Sequence, residues 1–121
     1  MIRIYGVYNA DGGPIGELFY LFGKLLGRTH CDLCDITHST FGEKKSWKAM
    51  NSLFQFPVEL VHLNQLDLKL NSFTQSITPC VVLEKEDKYW LLIDSERLKS
   101  CGGKVSEFEK ILVEAIDNLS F

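Results

Sequence analysis

Two strand-like runs, residues 80–85 (CVVLEK) and 88–94 (KYWLLID), are separated by only Glu86-Asp87. A connection of two residues predicts antiparallel pairing, so the chain is expected to contain a β-hairpin although its turn lacks the favoured glycine. Residues 2–8 (IRIYGVY), rich in β-branched and aromatic side chains and halted by the turn formers Asn9-Ala10-Asp11-Gly12-Gly13, read as a further and central strand. Residues 58–63 (VELVHL) read as another strand, and residues 66–70 (LDLKL) suit either one helical turn or a short strand.

Helices are expected between the strands. Pro14 suits a first helical position, and Ile15, Leu18, Phe19, Phe22, Leu25 and Leu26 recur at helical spacing, so the spacing predicts an amphipathic helix over 14–27. Thr40-Phe41-Gly42-Glu43 fits a capping box, which predicts a helix over 41–54 with Trp47, Met50 and Phe54 on its buried side and Pro57 beyond its end. Ser95 is the expected cap of a short turn through Leu98. A second capping box, Ser106-Glu107-Phe108-Glu109, and the repeat Phe108, Ile111, Leu112, Ala115, Ile116 predict a terminal helix over 105–118. The order implies an α/β fold, a mixed sheet flanked by helices.

The chain has 121 residues, of which 45% are apolar, enough for a single core, so one domain over 1–121 is expected. Four cysteines are too few for a disulfide-built secreted scaffold, and the opening Met1-Ile2-Arg3-Ile4 reads as strand rather than signal peptide, which points to the cytoplasm. A net charge of −3 leaves no electrostatic footprint for nucleic acid, and Lys44, Lys45 and Lys48 read as a solvated helix face. The most apolar stretch, 15–26, is interrupted by Gly16, Glu17, Gly23 and Lys24 and is too short to span a bilayer. Its wide apolar arc, with Phe19 and Phe22, also suits contact with a second subunit, so a homodimer is one expectation.

Chemistry is concentrated in Cys31-Asp32-Leu33-Cys34, flanked by His30 and His38. Two thiols at that spacing can close a disulfide or hold a metal. In a redox site Cys31 is the attacking thiolate and Cys34 the resolving thiol, with protein or small-molecule thiols as partners and no cofactor; His30 and His38 are placed to help, while Asp32 and Asp35 oppose thiolate formation. The alternative is a non-enzymatic binding or regulatory module with a structural zinc site, in which Cys31, Cys34 and His38 form C-x-x-C-x-x-x-H, with Cys80 as fourth ligand, Cys101 or His62 as weaker donors, or water in an open position. The four cysteines together also suit an iron-sulfur cluster. The plain alternative is reduced cysteines packing as small hydrophobes, the reading given to Cys101. His62 reads as a core histidine, and Gly12-Gly13-Pro14-Ile15-Gly16 as an ordinary turn rather than an anion-binding loop.

This order of elements, together with Ile77-Thr78-Pro79-Cys80-Val81-Val82-Leu83, resembles the thioredoxin fold. The resemblance implies a cis-Pro79 that opens the first hairpin strand and faces the redox pair, with Cys80 beside the site. It also implies thiol-disulfide oxidoreductase activity at Cys31 and Cys34. The chain departs from that pattern in having an extra helix, 14–27, before the C-x-x-C. Tyr8-Asn9-Ala10-Asp11, the C-x-x-C with Thr37, and Phe41-Gly42-Glu43-Lys44 leading to Trp47 also resemble a group of small bacterial proteins, a likeness that implies no particular activity.

Overall fold

The computed structural model describes residues 2–9, 32–39 and 42–119. The expected helix over 14–27, with Phe19 and Phe22, lies outside the described residues, as do the glycine turn at 12–16, His30, Cys31, Thr40 and Phe41.

Strand β1 (Ile2–Val7) is central, as its composition predicts. It runs parallel to β4 (Val58–Val61), from Ile4↔Val58 to Val7↔Val61, and antiparallel to β5 (Cys80–Lys85), from Ile2↔Lys85 to Val7↔Cys80. Strand β6 (Lys88–Ile93) completes the hairpin and the mixed sheet β4-β1-β5-β6. Glu86 (φ 52°) and Asp87 (φ 63°) both adopt the left-handed conformation. That is the turn whose twist matches paired strands, so the hairpin closes without glycine. A two-residue ladder, β2 (His38–Ser39) with β3 (Gly42–Glu43), lies apart from this sheet.

Alternation along the strands sends side chains to two faces. Ile4, Val58, Val81 and Leu83 meet the first face, where α1 (Asp32–Thr37) contributes Leu33, Cys34 and Ile36, and α2 (Lys45–Leu53) contributes Trp47 and Met50. Leu98 from α4 (Ser95–Ser100), and Phe108 and Leu112 from α5 (Val105–Asp117), complete that core. Trp47 and Phe108 pack edge to face with ring centres 5.1 Å apart, an arrangement that suits the ring quadrupoles. Val7, Cys80 and Val82 point to the second face, which is covered by α3 (Leu68–Thr74) through Leu70. Phe73 of α3 also meets Tyr89, with ring centres 5.4 Å apart.

Several local expectations give way to tertiary structure. Gly42 and Glu43 pair with Ser39 and His38 instead of opening a helix, and the Lys44 amide donates to the Thr37 carbonyl at 2.8 Å. Helix α2 therefore begins at Lys45, with Lys44 in the capping position and no side-chain cap. At α5 the left-handed Gly102 and Gly103 and the Lys104 amide, donating to the Cys101 carbonyl, bring the chain in two residues earlier than the capping box predicts. Lys104 is then the cap residue and Ser106 lies inside the helix. Asp94, not Ser95, caps α4 by accepting from the Arg97 amide at 2.8 Å. The ambiguous segment at 66–70 becomes the start of α3, where Asp67 accepts from the Leu70 amide at 2.8 Å. The expected strand over 58–63 stops at Val61, so His62 is a half-buried residue ahead of a 3-10 turn (Leu63–Gln65) rather than a core histidine within a strand.

Candidate functional site

Cys34 belongs to the first-face core and is 7% exposed. Helix α1 is fixed to the sheet at Gly6, which has no side chain to hold it away. A Cβ there would lie 3.3 Å from Leu33 Cδ2 and only 3.0 Å from Leu60 Cδ2. A side chain at Gly6 would therefore crowd Leu60 and Val58 of β4 first and Leu33 of α1 next. The helix ends at Thr37, directly against Tyr8, the residue that follows β1.

A compact polar cluster forms at this junction. Thr37 Oγ1 lies 2.7 Å from the Tyr8 hydroxyl and 2.7 Å from His38 Nδ1, and the Tyr8 hydroxyl lies 3.3 Å from the same nitrogen. Tyr8 is 1% exposed and Thr37 is fully buried, so the two hydroxyls satisfy polar demands that burial would otherwise leave costly. His62 closes the cluster from the other side: its ring stands 4.7 Å from that of Tyr8, and its amide donates to Gln65 Oε1 at 3.0 Å. Thr78 donates to Asn9 Oδ1 at 3.0 Å. The Thr78-Pro79 peptide is cis, as the resemblance implies. Tyr8 and Asn9, His62, and Thr78 with Pro79 thus gather at one end of the sheet, just past the carboxyl ends of the parallel β1 and β4. Outside the carboxyl ends of strands is where open α/β sheets bind ligands.

The sequence-expected residues separate in space. Cys34 and His38 lie on or next to α1. Cys80 is fully buried in the second-face cluster with Val7, Leu70 and Val82, so it shares no core with Cys34. Burial pushes the Cys80 thiol up to about 12. Cys101 is buried at the turn after α4, where its thiol donates to the Arg97 carbonyl at 3.5 Å. Burial also raises Cys101, reinforced by the negative charge of Glu107 and Asp32 and opposed by Arg97. Among the described residues, no three His, Cys, Asp or Glu side chains converge as a metal-ligating group. Cys31 and His30 lie outside those residues.

Beside α1 an open surface hollow is lined by Asp32, Asp35, Lys44, Lys99, Gly102 and Gly103. Lys44 Nζ donates to the Gly103 carbonyl at 2.7 Å, tying the start of α2 to the turn before α5. Tyr8 and Thr37 escaped sequence analysis as site residues because each fits a plain local role, an aromatic strand end and a residue of the cysteine segment. The only available signal was that both belong to the patterns quoted for the second resemblance.

Among the described residues, no helix is long and apolar enough to cross a membrane. No family model, curated protein or solved structure matches the chain.

Proposed function

We propose that this is a thioredoxin-like protein whose Cys31 and Cys34 cycle between dithiol and disulfide, exchanging with protein or small-molecule thiols in the cytoplasm. The observation that carries the reading is the position of Cys34. It sits on a helix packed against the end of a central strand, in a sheet ordered β4-β1-β5-β6 whose hairpin opens at Thr78-Pro79. That sheet has one parallel and two antiparallel pairings, a strand-helix-strand half followed by a hairpin.

The burial of Cys34 suits a resolving thiol. A thiol at 7% exposure is poorly reached by an outside disulfide but remains within reach of a cysteine three residues away in the same chain. In the forward direction Cys31 thiolate attacks a disulfide R–S–S–R, forming Cys31–S–S–R and releasing one thiolate. Cys34 then attacks Cys31, the Cys31–Cys34 bond forms, and the second thiolate leaves. Two electrons pass from the protein pair to the substrate.

Thiol counting before and after mild oxidation, combined with elemental analysis of anaerobically purified protein, tests the reading. The expected result is metal-free protein that loses two titratable thiols on oxidation, with peptide mapping locating the bond at Cys31–Cys34. Disulfide reductase activity should disappear in Cys31→Ser. Retention of full activity by that variant overturns the proposal. Stoichiometric zinc lost on Cys34→Ser replaces it with a metal site built on Cys31, Cys34 and His38.

A further inference from the structure

We infer that β6 is a pairing edge for a second copy of this chain, which joins two sheets into one through antiparallel backbone hydrogen bonds at Tyr89 and Leu91. The inference stands apart from the thiol-disulfide reading, because β5 separates β6 from β1 and from the cluster at Tyr8.

The two edges of the sheet are built differently. At the β4 edge the Asn51 side chain pairs with the backbone of Val58: Asn51 Nδ2 donates to the Val58 carbonyl at 3.0 Å, and the Val58 amide donates to Asn51 Oδ1 at 2.7 Å. That side chain stands where a neighbouring strand would, and β4 is only four residues long. Shortness and occupied backbone groups both keep an edge from pairing further. Strand β6 has six residues, and among the described residues only β5 pairs with it. It contains no proline, and Lys88 at its start is its one charged residue.

The hairpin fixes which backbone groups of β6 point outward. Lys85 pairs with Lys88 across the two-residue turn, and in such a hairpin the residues flanking the turn exchange both hydrogen bonds. Alternation then turns the N–H and C=O of Lys88 and Trp90 toward β5, and those of Tyr89 and Leu91 away from it. The register shift opposite Val81 and Val82 falls between Leu91 and Ile93, so both outward residues belong to the regular part of the strand.

A second copy fits this edge because its pattern is complementary to itself. A two-fold axis at Trp90 sets Tyr89 opposite the partner's Leu91 and Leu91 opposite the partner's Tyr89, which uses every outward group of that stretch in both chains. Lys88 then faces the partner's Leu92, so no like charges meet. Leu91 is 43% exposed although Val82, its neighbour on β5, is fully buried. Pairing lays that leucine beside a tyrosine ring, a favourable cross-strand pair formed twice.

Sedimentation velocity of the full chain over a concentration series, in reductant so that no disulfide links two copies, tests the pairing together with amide hydrogen exchange at Tyr89 and Leu91. The expected result is a concentration-dependent dimer in which exchange at those two amides slows as dimer forms. Leu91→Lys should weaken the dimer about tenfold, through the loss of two symmetric cross-strand pairs. Leu91→Pro removes one outward donor from each chain and should weaken it by about tenfold or more. A chain that stays monomeric throughout overturns the proposal. So does a dimer whose two amides exchange as fast as in the dilute monomer, since the copies then meet elsewhere. Slow exchange at both amides in the dilute monomer also overturns it, because another part of the same chain then covers the edge. Should Leu91→Pro not fold by circular dichroism, Leu91→Lys, a change at an exposed position, still decides: a folded variant with unchanged dimer affinity removes the proposed interface.

Discussion

The first face of the sheet lies under α1, α2, α4 and α5 and holds Trp47, Phe108, Leu33 and Ile36 at zero exposure, whereas the second is covered by the short helix α3 over Val7, Leu70, Cys80 and Val82. Both faces are apolar at their centre. They differ in extent among the described residues: the first gathers sixteen buried hydrophobic residues and the second four. A central strand needs cover on both sides, and among the described residues that cover is thick on one face and thin on the other. The candidate site belongs to the thick side, where α1 is held firmly enough to place Cys34 and Thr37.

Four measurements break or sharpen this contrast. Phe108→Ala empties the space beside Trp47 in the thick layer and should cost about 4 kcal/mol by urea denaturation. Leu70→Ala in the thin layer should cost about 2.5 kcal/mol, because a partly covered site collapses more easily around the lost atoms. Equal losses at the two positions would remove the distinction. Asp67→Ala and Asp94→Ala delete equivalent caps, on α3 and α4 respectively, and each should cost about 1 kcal/mol. A much larger loss at Asp67 would mean that α3 depends on its cap more than on its packing.

The last test is a pH dependence. Burial raises the Cys80 thiol from 9.0 to about 12, so the folded protein holds that proton more tightly than the unfolded chain. Its contribution to stability is complete below about pH 9 and is lost progressively as pH rises toward about 12. Tyr89, also raised to about 12 chiefly by burial, adds a similar decline beginning near its ordinary value of 10.0. Unfolding free energy should therefore fall with pH above about 9, and Cys80→Ala should remove the earlier part of the fall. An unchanged slope in that variant would show that the thin layer does not shield Cys80.

The strands were legible because their signal is local and periodic. Residues 2–8 and 80–85 carry apolar side chains on both faces, as a doubly covered strand must, and the hairpin follows from the mere shortness of Glu86-Asp87. The terminal helix was equally plain in Phe108, Ile111, Leu112, Ala115 and Ile116. Helix starts were read less well. Both capping boxes present the right residues three apart, but a cap is decided by how the chain arrives, and at Gly42-Glu43 the arriving chain is occupied by pairing with His38 and Ser39. Asp94 outcompeted Ser95 for the same reason, since its carboxylate faces the Arg97 amide.

The candidate site was legible in its cysteines, its flanking histidines and Pro79. C-x-x-C announces itself because two thiols at short spacing have few other uses, and the cis Thr78-Pro79 junction was anticipated from its resemblance alone. Tyr8, Thr37, His38 and His62 form a cluster that no local pattern contains, since Tyr8 and Thr37 are separated by 29 positions.

Residue order was sufficient to set the alternation of β1, the closure of the hairpin and the amphipathic face of α5, because each depends on neighbours a few bonds away. Folding alone separated Cys80 from Cys34, by directing successive residues of β5 to opposite sides of the sheet and seating α1 on one of them. Folding alone also brought the Tyr8 hydroxyl to Thr37 and His38. Contacts between distant segments follow from which faces pack together, and packing is settled by the burial of the whole apolar surface rather than by any one stretch of chain.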